Sequence, residues 1–172
     1  MATNIILTGF MGTGKTTVGR LLAAQLGFAF VDTDELIVAR DGRAIPTIFA
    51  EEGEPYFREL ETAVALELAA QSELVIATGG RLMLDPVNAE ALQRNGRVFC
   101  LTATPDEILA RVEEDGRRPL LHVPDPAVRI RELLAERAAG YGRYPQIETT
   151  GKSADEVVEE ITVKIRQETR NK

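Results

Sequence analysis

Apolar and polar positions along this chain fall into two patterns that take turns. Short continuous apolar runs, such as Ile5-Ile6-Leu7, Leu74-Val75-Ile76-Ala77 and Val98-Phe99-Cys100-Leu101, read as strands buried on both faces. Between them apolar residues recur at helical spacing, as in Val18, Leu21, Leu22 and Leu26, or Phe57, Leu60, Val64 and Leu68. The pattern predicts strands near Ile5–Thr8, Ala29–Asp32, Leu74–Thr78 and Val98–Thr102, and a weaker one near Gln146–Thr149. It predicts helices near Lys15–Leu26, Thr33–Arg40, Glu54–Ala70, Pro86–Arg94, Pro105–Glu114, Asp125–Ala139 and Ala154–Glu168. Strands alternating with helices imply an α/β fold, with a parallel sheet covered on both faces. Ligands in such folds bind outside the carboxyl ends of the strands. Two segments break the rhythm. Asp41 to Pro55 is polar and short-helical, and Asp115 to Pro126 gathers Gly116, Pro119, Pro124 and Pro126 around Arg117-Arg118 like a mobile lid.

Length and composition narrow the class. The 172 residues, 44% hydrophobic and 27% charged, suit one globular domain spanning 1–172. No apolar run is long enough to span a membrane, and no basic, cleavable leader precedes the first strand. The single cysteine, Cys100, excludes an internal disulfide and fits a reducing cytoplasm. A net charge of −7 argues against a nucleic-acid surface. It also means that an anionic ligand must be met by a local cluster of Arg and Lys.

Such a cluster begins at the first strand end. Gly9-Phe10-Met11-Gly12-Thr13-Gly14-Lys15-Thr16 fits G-x-x-x-x-G-K-[ST], the phosphate-binding P-loop, and it stands between a strand and a helix as that motif requires. Its glycines turn backbone N–H groups toward a phosphate, the helix N-terminus adds positive dipole, Lys15 adds a full charge, and the Thr16 hydroxyl is placed to hold Mg²⁺.

Asp32-Thr33-Asp34 closes the second strand and opens a helix. Alternate residues of an extended chain point the same way, so both carboxylates can face the phosphates. One can bind metal-coordinated water and the other can accept a hydroxyl proton. The plainer reading is a helix cap with a dipole-favoured neighbour. Arg58 lies just off a core stripe, with Glu54 four residues before it and Glu61 three after. It is either a surface ion pair or an arginine held by a carboxylate so that its fork meets a substrate acid. Arg137 continues the buried stripe of Ile130, Leu133 and Leu134. Its inward guanidinium needs an anionic partner, either an internal Asp or Glu or a substrate. Arg118, in the lid segment, can neutralise charge on a transferring phosphoryl group.

Taken together these residues resemble the shikimate kinase family, within the P-loop small-molecule kinases of the nucleoside-monophosphate-kinase type. The resemblance runs over nearly the whole chain. It rests on the P-loop from Gly9 to Thr17, Asp32-Thr33-Asp34, Phe57-Arg58 with Glu61, Gly79-Gly80, Arg118-Pro119-Leu120-Leu121, and Arg137 followed by Tyr141. It implies a three-layer fold with five parallel strands in the order 2-3-1-4-5, an acid-binding segment at 33–61 and a lid at 115–126. It implies ATP binding by Gly12, Thr13, Gly14, Lys15, Thr16, Thr17, Arg118 and, by a looser match, Arg111 on adenine. Thr16, and Asp32 through water, would hold Mg²⁺. Asp34 would contact the reacting hydroxyl. Arg58 and Arg137 would clamp the substrate carboxylate, with Gly79 and the Gly80 backbone beside them. The implied reaction is transfer of the γ-phosphoryl of ATP to the 3-hydroxyl of shikimate, in aromatic amino-acid biosynthesis, with Lys15, Asp34 and Arg118 as the catalytic set. A cytoplasmic monomer is expected, with ATP and a small carboxylated polyol as its partners.

Two readings compete with this one: a related kinase for another acid such as gluconate, and a nucleotide-binding module without transfer activity. The chain departs from the family pattern at Arg81, where the family has a third glycine, and at Ala138-Ala139-Gly140-Tyr141, which lacks the family's proline before the tyrosine. Arg81 is expected to extend outward and leave the backbone in its role, or to add charge that helps hold an acid.

Overall fold

The strand β1 (Asn4–Gly9) is buried along its whole length, and the molecule is assembled around it. In the computed structural model, residues 3–115 and 122–170 are described. The helix α1 (Lys15–Leu26) leads from β1 to β2 (Ala29–Asp32). Then come α2 (Thr33–Asp41), α3 (Ile45–Glu52) and α4 (Glu54–Ala69), followed by β3 (Leu74–Ala77). A 3₁₀ turn at Leu82–Leu84 precedes α5 (Pro86–Arg94), β4 (Gly96–Thr102) and α6 (Pro105–Asp115). The chain closes with α7 (Pro126–Tyr141), β5 (Gln146–Glu148) and α8 (Ala154–Arg170).

All strand pairs are parallel, in the order β2-β3-β1-β4-β5. Ile6 of β1 lies beside Ile76 of β3 on one side and Val98 of β4 on the other. Side chains alternate between the two faces. Ile6, Ile76, Val98 and Cys100 join a core with residues of α4, α5 and α7, among them Phe57, Val64, Leu92 and Ile130. Ile5, Leu7, Val75, Phe99 and Leu101 join the opposite core with α1 and α8, through Val18, Leu22, Val157 and Ile161. Continuous apolar strands are thus consumed on both faces. Cys100 sits in the first core with its thiol pushed up to about 11 by desolvation, so it is a packing residue and not a nucleophile.

Sheet order follows the expectation, and strand and helix limits move by a residue or two. The polar segment after Asp41 holds α3, which starts with Pro46 in its first turn and ends at Gly53, with φ 85°. An ionic knot fixes it. Arg43 bonds Asp41 through two nitrogens, at 2.6 and 3.0 Å, and reaches Glu51 and Glu52 from a third at 2.8 and 3.0 Å. The Tyr56 hydroxyl donates to Asp41 at 3.0 Å. Bonding by Arg43 holds the Asp41 carboxyl below its ordinary range.

Asn4 has no counterpart in the apolar pattern, yet it is 1% exposed. Its amide donates to the Gln71 carbonyl at 2.9 Å and its oxygen accepts from Leu74 N–H at 3.0 Å. One side chain thereby sets where the α4–β3 turn meets the start of β1. Asn4→Ala orphans the buried Leu74 N–H, while the Gln71 carbonyl keeps the Asn95 amide at 2.9 Å, and should cost about 1–3 kcal/mol. A urea midpoint within experimental error of wild type would show that water satisfies the Leu74 N–H instead.

Candidate active site

The P-loop, the start of α2, the α3–α4 wall, the turn after β3, and inward positions on α6 and α7 line a cleft of about 430 Å³. Its position beyond the carboxyl ends of β1, β2 and β3 is where a parallel sheet leaves backbone groups and helix N-termini for a ligand.

The P-loop turns through left-handed glycines at Gly12 (φ 73°) and Gly14 (φ 93°). Gly14 caps α1 without any side-chain hydrogen bond. By contrast α2, α5 and α7 are capped by Asp32, Asp85 and Asp125. An aspartate at α1 would oppose a phosphate; a glycine leaves the N–H donors and the dipole to it. Lys15 Nζ donates to the carbonyls of Gly9 and Phe10, both at 2.8 Å, so the ammonium is folded over the loop. Thr13 is 1% exposed and its hydroxyl donates to Phe10 O at 2.7 Å. It braces the loop from within and does not line the cleft.

Asp32 combines both readings of the aspartate pair. One carboxylate oxygen accepts from the N–H groups of Asp34 and Glu35, at 3.0 and 3.2 Å, as a helix cap. The other accepts from the Thr16 hydroxyl at 2.8 Å. This hydroxyl–carboxylate pair at the phosphate loop is the oxygen donor set that suits Mg²⁺, which takes few protein ligands and keeps phosphates and waters. Among the described residues no group of three or more His, Cys, Asp or Glu could hold a metal by itself.

Asp34 lines the cleft beside Gly79. A Cβ on Gly79 would stand 2.7 Å from an Asp34 carboxylate oxygen, so only glycine permits this approach. The wholly buried Thr33 locks the same contact by accepting the Gly79 N–H at 2.9 Å. A threonine between two aspartates carries no signal for this in the sequence.

Arg58 is flanked by the rings of Phe49 and Phe57, 5.9 and 5.3 Å from its guanidinium carbon to their centroids. Its Nη1 bonds the buried Glu61, and its Nε and Nη2 bond Glu54 at 3.2 and 3.1 Å. The pairing is therefore more than a surface contact, because the Glu61 carboxylate is 2% exposed. Desolvation raises the Glu61 pKa from 4.5 to about 7, against the pull of Arg58 and with a further push from Asp34. Its second oxygen has no partner among the described residues.

Arg137 lies over the Phe10 ring at 5.3 Å and bonds the Tyr141 hydroxyl. That hydroxyl in turn donates to Gly80 O at 2.5 Å. Among the described residues Arg137 pairs with no carboxylate. Arg111 is anchored by Glu107 at 3.0 Å, by the Gly12 carbonyl at 3.0 Å and by Thr149 at 3.1 and 3.2 Å, at the P-loop end of the cleft. Arg81 has φ −107°, which any residue adopts, and its half-exposed side chain lines the cleft.

The cleft thus brings together Gly12, Gly14, Lys15, Thr16, Thr17, Asp32, Asp34, Arg58, Gly79, Gly80, Arg111 and Arg137. Arg118 and residues 116–121 of the expected lid lie outside the described residues. The apolar wall of Ile45, Phe49 and Phe57, and the bond from Tyr141 to Gly80, carry no local signature in the sequence.

Sheet order, P-loop and cleft together define a P-loop kinase. The family model described as shikimate kinase matches residues 11–166, and the chain belongs to the shikimate kinase family. A shikimate kinase from Caldanaerobacter subterraneus subsp. tengcongensis is 46% identical over 160 residues, covering 92% of this chain and 93% of the relative. Another from Symbiobacterium thermophilum is 47% identical over 168 residues, covering 95% and 97%. The solved shikimate kinase of Acinetobacter baumannii, in complex with shikimate, superposes with a TM-score of 0.91 at 40% identity, over 98% of this chain and 95% of that one. A gluconokinase from Sinorhizobium meliloti, at 17% identity and a TM-score of 0.65 over 99% and 95%, shares the fold alone.

Glu61 gives the site a pH signature. Its folded pKa is raised, so between pH 4.5 and about 7 the native state binds a proton that the unfolded chain releases. Its contribution to stability therefore falls as pH rises through that window and is flat above it. Denaturation of wild type and Glu61→Gln should give stability curves that diverge there by about 3 kcal/mol. Parallel curves would mean that Glu61 ionises normally.

Proposed function

We propose that this chain transfers the γ-phosphoryl group of ATP to the 3-hydroxyl of shikimate, giving shikimate 3-phosphate and ADP. The observation that carries the reading is one cleft lined by the P-loop, Arg58, Arg137 and Asp34, with Asp34 held against Gly79. The family supports the choice of acid, since its solved member from Acinetobacter baumannii holds shikimate.

On this reading Lys15 leaves the carbonyls of Gly9 and Phe10 and meets the β- and γ-phosphates. The turned N–H groups of Gly12 to Thr17 hold the phosphate chain, and Arg111 faces the base. Thr16, and Asp32 through water, would hold Mg²⁺, which supplies neutralisation of phosphate charge. Arg58 and Arg137 grip the shikimate carboxylate while the Gly80 backbone, fixed by Tyr141, shapes the floor. Asp34 accepts the 3-hydroxyl proton as that oxygen bonds to the γ-phosphorus and the bond to the β–γ bridging oxygen breaks. Segment 33–61 serves as the acid-binding part. The apolar wall of Ile45, Phe49 and Phe57 excludes water that would otherwise take the phosphoryl group. The role of Arg118 toward the phosphates rests on the resemblance.

A coupled ADP-release assay with shikimate, gluconate and no acid tests the assignment. Turnover with shikimate is expected, with phosphorus NMR placing the new ester on the 3-hydroxyl. Turnover with gluconate alone, or ADP release that ignores the acid, would overturn it. Asp34→Asn should lower kcat by about 10²-fold or more while ATP binding persists. A near-normal kcat would reduce Asp34 to a group that merely packs against Gly79. Lys15→Ala should remove nearly all turnover without unfolding the protein. Full turnover at saturating ATP would mean that the P-loop lysine does not meet the phosphates.

A further inference from the structure

The Nε–Nη2 edge of Arg58 faces a carboxylate of the chain itself. Both nitrogens donate to the same Glu54 oxygen, at 3.2 and 3.1 Å, and the remaining Nη1 is taken by Glu61. This edge is the planar fork that grips a carboxylate through two parallel bonds. An incoming acid that takes this edge must displace Glu54, and a displaced carboxylate left beside a bound one would repel it. The same Glu54 oxygen stands 3.8 Å from Arg81 Nη1. Glu54 and Arg81 are about equally exposed, at 52% and 53%, whereas Glu61 is 2% exposed and cannot leave with its partner. Arg81 is anchored by its backbone, whose carbonyl accepts from Leu84 N–H at 3.0 Å, while its side chain has room at the rim. Its charge reaches inward far enough to act on both Glu61 and Tyr141.

We propose that Arg81 is a specificity-determining residue, the receiving post of a carboxylate exchange. In the empty site Glu54 neutralises the Arg58 fork. When a carboxylate ligand binds, Glu54 swings to Arg81 and the fork closes on the ligand. The exchange trades one exposed ion pair for another, and such pairs differ little in strength. The fork is thereby guarded against weak anions and yields to a carboxylate that Arg137 grips as well. This rests on the acid-clamp reading of Arg58 and Arg137. It gives a task to Arg81, which stands where the family resemblance implies a third glycine.

The test is a double-mutant cycle on the intact protein with Arg81→Gln, Glu54→Gln and the pair. Shikimate and its methyl ester are bound calorimetrically, and turnover is measured separately. Arg81→Gln should weaken shikimate binding roughly two- to five-fold, the size expected of one exposed ion pair, and leave the ester nearly unmoved. Glu54→Gln should tighten shikimate binding or leave it level. In the double variant the loss from Arg81→Gln should vanish. An equal loss from Arg81→Gln with and without Glu54 would mean that Arg81 touches the acid directly and would overturn the exchange. So would a loss shared by the ester, no loss at all, or no binding of shikimate by the wild type. Shikimate bound with the predicted coupling but never phosphorylated would leave the exchange standing and defeat the proposed reaction. Normal turnover with additive variants would do the reverse.

Discussion

Every backbone group of β1 has to be satisfied inside the protein, because the strand is buried on both faces and along both edges. Pairing with β3 and β4 does most of this work, and at the lower end the Asn4 N–H donates to the Asn95 carbonyl at 2.9 Å. Once β1 is central, its carboxyl end must emerge between the ends of its neighbours. The P-loop leaves β1 there, Thr78 and Gly79 follow β3 there, and Asp32 closes the adjoining β2. Chemistry that is far apart along the chain is therefore gathered by the requirement that one strand keep no unsatisfied edge.

Charge arrangement then separates what is fixed from what can move. Glu61 is held in the interior at a cost, visible in its raised pKa, and fixes Arg58 from beneath. Glu54, half exposed, meets the same guanidinium from the solvent side. Among the described residues Arg137 meets a ring and a hydroxyl and no carboxylate. An acidic protein of net charge −7 thus keeps a local positive site without exposing a general positive surface.

Much of this was legible in the sequence because the signals were local. Apolar runs of four residues marked β3 and β4, the glycine spacing marked the P-loop, and the helical stripe at Ile130 and Leu133 showed that Arg137 turns inward. Sheet order and the grouping of Asp34, Arg58 and Arg137 came from the resemblance, and the fold agrees with the first. What escaped is non-local or conformational. Thr33 acts on Gly79 across 46 positions, and Tyr141 acts on Gly80 across 61. Asp32 looked like either a cap or a metal residue because periodicity cannot show that its two oxygens face different ways. Arg81 raised a question only as a substitution of glycine; its ordinary φ and its proximity to Glu54 belong to the folded chain.

The central claim is that Arg58 and Arg137 hold one carboxylate within reach of the P-loop. Calorimetric binding of shikimate and its methyl ester to Arg58→Ala, Arg137→Ala and the double variant addresses it directly. Each single variant should lose about 2–5 kcal/mol of acid binding with little change for the ester. The double variant should lose well short of the sum, because both arginines serve the same group. Strictly additive losses, or equal losses for acid and ester, would contradict the account.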